Sequence, residues 1–134
     1  MKRNIYLGID GVILTRGTVP ALHLEMFLSY ILTRYSVSWL SSRCRGKSEE
    51  TVNYLSQFLP PTTINLIRKI KPTNFDLDKT EAIDFTKRFF LLDGPLFDSE
   101  KNTLKKYGKY DSWIELDLIK KPHQLLNLTR GRFI

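Results

Sequence analysis

The chain has 134 residues, of which 42% are hydrophobic and 26% are charged, and its formal net charge is +7. This length and composition predict a single domain with one hydrophobic core, spanning residues 1–134. No apolar run approaches the roughly 18 residues that a membrane-spanning helix requires, so we expect no membrane partner. Cys44 is the only cysteine, which excludes an internal disulfide bond and favours a cytoplasmic location.

The positive charge is most one-sided in the last third of the chain. That segment carries Lys101, Lys105, Lys106, Lys109, Lys120, Lys121, Arg130 and Arg132. Such a surface favours polyanionic partners by general electrostatics. Nucleic acid is one such partner, but no arginine-rich block, zinc-ligand spacing or RNA-binding signature specifies it. The alternative is a solvated basic surface with no specific partner.

The first predicted element is a buried strand that ends at a carboxylate. A short apolar run is formed by Ile5–Leu7 and Ile9, and this pattern is typical of a parallel strand buried on both faces. Asp10 and Gly11 follow the run. Because ligands of α/β sheets bind beyond the carboxyl ends of the strands, Asp10 is a candidate site residue. The alternative is that Asp10 and Gly11 form only a turn.

A helix and a second strand are predicted next. The helix spans Val19–Arg34, where apolar residues recur at helical spacing. The strand spans Ser36–Leu40 and ends at Ser41, whose hydroxyl either binds an anion or caps the following element. Arg43 and Arg45 are close enough in sequence to add charge-assisted contacts to an anion.

Two further helices are predicted before the next candidate ligand. They span Ser48–Leu59, with Ser48 as the N-cap, and Thr62–Ile70. Asp78 can cap a short helix that places Lys79 in its first turn. A cation there opposes the helix dipole by about 0.3–1 kcal/mol. This position is explained if Lys79 points toward a bound anion, and the alternative is a solvated lysine.

A third buried strand, over Arg88–Asp93, again ends in an acid. The remaining elements are predicted as a helix over Ser99–Tyr107 capped by Asp98, an edge strand over Trp113–Asp117, a closing helix over Pro122–Leu128 and a basic tail over Thr129–Ile134. Strands that alternate with helices predict an α/β fold with a mainly parallel sheet. We expect the first strand to lie between the second and the third.

The order of the candidate residues resembles the four motifs of the haloacid-dehalogenase-like (HAD) phosphatase superfamily: Asp10, Ser41, Lys79 and Asp93. The first family motif is an apolar strand followed by D-x-D-G-T/V. Here Asp10, Gly11 and Val12 match it, while Gly8 stands in place of the first aspartate. In the family, the first aspartate is the nucleophile and a Mg²⁺ ligand, and the second is the general acid and base. The implied fold is a three-layer Rossmann-like sandwich.

The other three motifs carry the phosphate and metal contacts of the family. Trp39-Leu40-Ser41 is similar to the second motif, whose hydroxyl binds a phosphoryl oxygen. Lys79 matches the lysine that neutralises the nucleophile and the phosphoryl group. Asp93 matches a metal-binding acid of the fourth motif, but Gly94 replaces the second acid of its D-D form. In another form of this motif, a further acid lies four to five residues after the first. Asp98, five residues after Asp93, matches that acid, although its context favours the role of a helix cap.

The resemblance implies three overlapping sets of site residues. The catalytic set is Asp10, Ser41 and Lys79. The phosphate-binding set is Gly11, Ser41, Arg43 and Lys79. The metal set is Asp10, Asp93 and Asp98, which would hold Mg²⁺ weakly because Gly8 and Gly94 supply no carboxylate.

The intervals between the motifs leave no segment for a cap domain. The resemblance therefore implies a single capless HAD-like domain with an open site, suited to large phosphorylated substrates. Gly8 has no side chain with which to attack phosphorus, and loss of a nucleophile costs on the order of 10⁶ in turnover in a well-studied hydrolase. We expect an inactive or severely impaired phosphatase-related domain that binds a phosphate-bearing or acidic macromolecule. Two alternatives remain: an active Mg²⁺-dependent phosphohydrolase of unusual mechanism, and a scaffold protein with a vestigial pocket.

Overall fold

A parallel sheet flanked by helices forms the centre of the computed structural model, which describes residues 2–132. The strands are β1 (Asn4–Leu7), β2 (Leu14–Thr15), β3 (Val19–Pro20), β4 (Ser36–Trp39), β5 (Phe89–Asp93) and β6 (Trp113–Glu115). The α-helices are α1 (Leu24–Arg34), α2 (Ser48–Leu55), α3 (Pro61–Ile67), α4 (Asp98–Lys106) and α5 (Gln124–Asn127). Short 3₁₀ turns cover Lys79–Ala82 and Tyr110–Ser112.

The four-stranded sheet has the order β4-β1-β5-β6, and each neighbouring pair is parallel. Ile5 of β1 lies opposite Val37 on one side and Phe90 on the other. This arrangement confirms the predicted α/β class and the central position of the first strand. The apolar run explains it, because only a strand with neighbours on both edges and helices on both faces buries every side chain.

The two faces of the sheet carry separate hydrophobic clusters. Ile5 and Leu7 of β1 belong to the larger cluster, with side chains from α1, α2, α3 and α5. Tyr6, between them in sequence, belongs to the smaller one, with Leu91 of β5 and Leu104 of α4. Successive side chains of a strand point to opposite faces, so β1 joins the two clusters.

The helix predicted over Val19–Arg34 is wrong at its start. The structure places Val19–Pro20 in a hairpin, where β3 pairs antiparallel with β2. Gly17, with φ of +83°, lies in the connecting turn, and positive φ is readily adopted by glycine. Val19 is 49% exposed, so burial does not favour a helix at this position. The helix begins instead at Leu24, after His23 in a left-handed conformation.

Both predicted N-caps of the longer helices are also wrong. Lys47 is the N-cap of α2 and makes no side-chain cap bond, so Ser48 is the first helical residue. Asp98 is likewise the first residue of α4 rather than its cap. The start of α4 is fixed by Glu100, whose Oε1 accepts the Phe97 N–H at 2.8 Å. A carboxylate in the third position can therefore replace a capping side chain in front of the helix.

The end of the described chain is a π-helical turn over Leu128–Arg132. Part of the predicted basic tail, Phe133 and Ile134, lies outside the described residues. Within residues 2–132, no helix has the length and apolarity that crossing a membrane requires.

Candidate functional site

A cavity of about 310 Å³ lies beyond the carboxyl ends of β1, β4 and β5. Its polar lining includes four residues that the sequence predicted to converge: Asp10, Ser41, Lys79 and Asp93. Asp10, Ser41 and Asp93 meet because the parallel strands end at one edge of the sheet, and Lys79 reaches them from the 3₁₀ turn that it begins. The cavity is at the small end of the range typical of ligand pockets.

The turn after β1 presents Asp10 to the cavity. The Ile9 carbonyl accepts the N–H groups of Val12, Ile13 and Leu14 at 2.9–3.2 Å, which reverses the chain immediately after the strand. Gly11 sits in this turn with φ of +86°, a conformation that favours glycine. The Gly11 N–H donates to the Leu14 carbonyl at 2.7 Å, so it is already engaged.

Asp10 forms an ion pair with Arg43 at the edge of the site. The Arg43 Nε lies 3.0 Å from the Asp10 Oδ2, and the guanidinium stacks 4.2 Å from the centre of the Tyr54 ring. The hydrogen bond to Asp10 raises the pKa of Arg43 above its usual value. Both side chains of the pair are substantially exposed, so its net contribution to stability is about 0–1 kcal/mol. Arg43 itself is not among the residues that line the cavity.

Ser41 keeps a hydroxyl proton available to a ligand. Its Oγ accepts the Arg43 N–H at 3.2 Å, and its carbonyl accepts the Cys44 N–H at 3.1 Å. This turn fixes the side chain at the end of β4. Within residues 2–132 the Ser41 hydroxyl donates no hydrogen bond, so it can donate to an anion.

Lys79 is held in place by the predicted cap at Asp78. The Asp78 Oδ1 accepts the Thr80 N–H at 2.9 Å, and the Asp78 N–H donates to the Glu81 carboxylate at 3.2 Å. Burial raises the pKa of Asp78, but the hydrogen bonds from Thr80 outweigh it and the net pKa is lowered. The predicted cap is confirmed, although the helix is a single 3₁₀ turn. This capped turn places the Lys79 side chain in the cavity lining.

Lys79 and Asp93 form a largely buried ion pair. Their side chains are only 16% and 10% exposed, and the Lys79 Nζ donates to the Asp93 Oδ2. Burial raises the pKa of Asp93, against the opposing effects of Lys79 and of the Gly94 N–H, which donates to the Asp93 Oδ1 at 2.8 Å. Lys79 therefore enters the cavity already partly neutralised by Asp93.

The Asp93 carboxylate occupies the space next to Gly8. A Cβ built on Gly8 would lie 2.7 Å from the Asp93 Cγ and 3.1 Å from its Oδ2. Real Cβ atoms essentially never approach other atoms to less than 3.0 Å. A side chain at position 8 and the present position of Asp93 are therefore mutually exclusive.

Two other predicted residues do not line this cavity. Gly11 lines a neighbouring cavity of about 230 Å³, which it shares with Asp10 and Gly94. Asp98 lines neither of these two cavities. Sequence reasoning missed Glu100, which is 5% exposed and lines the main cavity. The sequence signal for Glu100 was its position two residues after Asp98 at the start of a helix, which indicates that it lies close to the predicted site.

The cavity also has an apolar rim that the sequence did not predict. Leu77 is 93% exposed and Phe97 is 77% exposed, and both line the cavity together with Phe75. Large apolar side chains that remain exposed beside polar groups are typical of binding surfaces. The site therefore combines a polar floor with an apolar mouth.

The carboxylates of the cavity do not fit a Mg²⁺ site as they stand. Asp10 is engaged by Arg43 and Asp93 by Lys79, so a metal ion would have to compete with two cations. In the part of the chain that the structure describes, no group of three or more Asp, Glu, His or Cys side chains is arranged to hold a metal. Of the predicted ligands Asp10, Asp93 and Asp98, only the first two line the cavity.

The chain matches no protein-family model, no curated protein and no solved structure.

Proposed function

We propose that this protein is a HAD-phosphatase-related domain that binds a phosphate-bearing or acidic partner with little or no turnover. The observation that carries the proposal is the meeting of Lys79, Ser41 and Asp93 in one cavity at the carboxyl edge of the sheet, with Gly8 in place of a nucleophile. Donors at such an edge are positioned for an anionic ligand. The predicted absence of turnover follows from the missing side chain at position 8.

Two donors are available to a phosphoryl group. A lysine ammonium has three N–H groups, and in residues 2–132 the hydrogen-bonded acceptor of the Lys79 Nζ is Asp93 alone. The Ser41 hydroxyl supplies a further proton. An anion between these donors replaces water with charge-assisted hydrogen bonds, which are roughly twice as strong as neutral ones.

The carboxylates of the cavity set a limit on affinity. Asp10, Asp93 and Glu100 line the same space as the single lysine. A phosphate dianion is therefore repelled unless the Lys79–Asp93 pair rearranges, and we expect weak binding of free phosphate. A macromolecular partner can add contacts at the exposed apolar rim, which free phosphate does not use.

The experiment is a titration with inorganic phosphate at low salt, followed by calorimetry or ³¹P NMR. Wild-type protein should bind, and Lys79→Gln and Ser41→Ala should each weaken binding. Lys120→Ala, at an exposed position outside the cavity, is the matched control and should bind like wild type. Equal affinities in all four proteins would contradict the proposal, and no binding to any of them would favour the scaffold alternative.

The hydrolase alternative is favoured by one observation. Asp93 supplies a carboxylate to the space beside Gly8, although from β5 rather than β1. An assay with an aryl phosphate and Mg²⁺ separates the two functions, and we expect little or no phosphate release. A robust rate that is lost in both Asp93→Asn and Asp10→Asn would establish an unusual enzyme instead.

A further inference from the structure

The two histidines of the chain meet at a surface site outside the cavity. His23 and His123 are separated by 100 positions, yet the Nε2 of His23 lies 2.8 Å from the Nδ1 of His123. The ring centres are 5.1 Å apart and the ring planes are inclined by 49°. His23 precedes α1 and His123 precedes α5, so the pair connects the starts of two helices.

The backbone at His23 is held in an unfavourable conformation. Its φ of 64° and ψ of 18° are left-handed, and its side chain does not cap α1. Histidine adopts this region more often than most residues, but the conformation still costs of order 1–3 kcal/mol. The residue in this unfavourable conformation is also the one whose ring nitrogen contacts a second histidine.

The paired nitrogens are suited to a metal ion. In the hydrogen-bonded pair, one nitrogen donates a single proton to the lone pair of the other. A metal ion can take the place of this proton if the donor ring carries its proton on its other nitrogen, and both facing nitrogens then offer a lone pair to the ion. Zn–N bonds of about 2.0–2.1 Å in a tetrahedral site place two ligand nitrogens roughly 3.3 Å apart. The 5.1 Å between the ring centres shows that the two nitrogens face each other almost in line. The rings would therefore have to tilt as well as separate by roughly half an ångström, which side chains at the protein surface accommodate.

We propose that His23 and His123 form a two-histidine site for a borderline divalent ion such as Zn²⁺, with water in the remaining positions. Imidazole nitrogen suits Zn²⁺, Cu²⁺ and Ni²⁺, whereas Mg²⁺ prefers oxygen ligands. The bound ion ties the start of α1 to the start of α5. With only two protein ligands, the affinity is lower than that of structural zinc sites, which have four.

The test is calorimetric titration of the full chain with ZnCl₂ near neutral pH in a buffer that does not chelate metals. Wild-type protein should bind one ion per chain. His23→Asn, chosen because asparagine also tolerates the left-handed conformation, and His123→Gln should each weaken binding. The loss should reach at least the roughly 10–100-fold that removal of a supporting residue costs at metal sites.

Two control variants separate this site from other candidate ligands. Asp93→Asn alters the cavity carboxylates and Cys44→Ala removes the buried thiol, and both should bind Zn²⁺ like wild type. Zn²⁺ should also shift the ring resonances of both histidines in NMR spectra. The proposal is overturned if wild type binds no Zn²⁺ at millimolar concentration, if the histidine variants bind as tightly as wild type, or if Asp93→Asn abolishes binding.

Discussion

The carboxylate of Asp93, at the end of β5, fills the space that a side chain on Gly8, at the end of β1, would need. The two positions are therefore coupled: one of them can extend a side chain into this part of the cavity only if the other does not. Lys79, the cation of the cavity, is consequently paired with an acid from β5 and not with one from β1.

Gly8→Ala should destabilise the protein. The added Cβ would lie 2.7 Å from the Asp93 Cγ, and Asp93 is held by Lys79 and by the Gly94 N–H. Overpacking of this kind costs about 1–3 kcal/mol in the free energy of unfolding. Gly94→Ala is the matched control, because its Cβ would meet the Leu116 carbonyl oxygen at 3.8 Å, an ordinary contact. Urea denaturation measures both, and equal stabilities would contradict the geometry at position 8.

The same coupling changes what Gly8→Asp can do. A carboxylate at position 8 must displace Asp93 before it can serve as a nucleophile or a metal ligand. We therefore expect Gly8→Asp with Gly94→Asp to tighten Mg²⁺ binding only if Asp93 rotates away from its present position. Calorimetry with Mg²⁺ measures the affinity, and the single Gly94→Asp variant shows how much of any gain comes from position 94.

Asp93→Asn should strengthen anion binding. A unit charge roughly 5 Å away at an effective dielectric constant of about 20 contributes about 3 kcal/mol before screening, so we expect a gain of about tenfold or more in sulfate affinity. The variant should also be less stable, because it leaves Lys79 largely buried without its partner. Asp111→Asn makes the same change at an exposed position outside the cavity and should leave sulfate affinity unaltered.

The sulfate affinity of the wild-type protein should rise as the pH falls. Burial raises the pKa of Asp93 above the usual value for aspartate. As the pH falls through this raised pKa, Asp93 takes up a proton, loses its negative charge and releases Lys79. Sulfate stays a dianion over the range, so titrations at a series of pH values isolate the protein group. A profile in Asp93→Asn that is as steep as in wild type would show that another group is responsible.

The Asp78 cap should determine both stability and ligand binding. Asp78→Ala removes the acceptor of the Thr80 N–H, and loss of such a cap costs about 0.5–2 kcal/mol. Because the capped turn positions Lys79, phosphate affinity should fall as well. Asp78→Asn retains an acceptor and should preserve most of both properties. Thermal denaturation and the phosphate titration would measure the two effects, and an unchanged affinity in Asp78→Ala would mean that Lys79 does not depend on the turn.

Two leucines should respond very differently to truncation. Leu7 on β1 is fully buried, and Leu→Ala changes in cores cost about 2–5 kcal/mol. Leu77 is 93% exposed at the cavity mouth, where surface changes are usually within about 0.5 kcal/mol. Urea denaturation of the two alanine variants measures this difference. A large loss of stability in Leu77→Ala would mean that the rim packs against other parts of the protein.

The parts of the fold that the sequence predicts are those with a strong local signal. The apolar runs that contain Ile5 and Phe89 each identify a strand. Because helices are predicted between the strands, the strands are expected to form a parallel sheet. The hairpin of β2 and β3 has no comparable signal, since Leu14–Thr15 and Val19–Pro20 are too short to show alternation. The spacing of apolar residues after Val19 also fits a helix that begins at Val19. The turn at Gly17 instead places Val19 in the hairpin.

The sequence predicted which residues lie at the site better than it predicted which of their charges form ion pairs. Asp10, Ser41 and Asp93 could be placed together because strand ends share one edge, and Lys79 because it begins a short helix. Which charges neutralise each other could not be predicted, because side-chain direction depends on the tertiary structure. The contact between His23 and His123 likewise joins segments that no local pattern connects.

The position of β1 between β4 and β5 has a consequence for folding during synthesis. Only the short β2–β3 hairpin and α1 separate β4 from β1, so these two strands can pair early, whereas the other edge of β1 has no partner until residues 89–93 emerge. Until then an apolar strand edge is open to other chains, and such edges promote aggregation. Lys79 and Asp93 also arrive late, so a nascent chain that has only the N-terminal half contains Asp10 and Ser41 but no binding cavity.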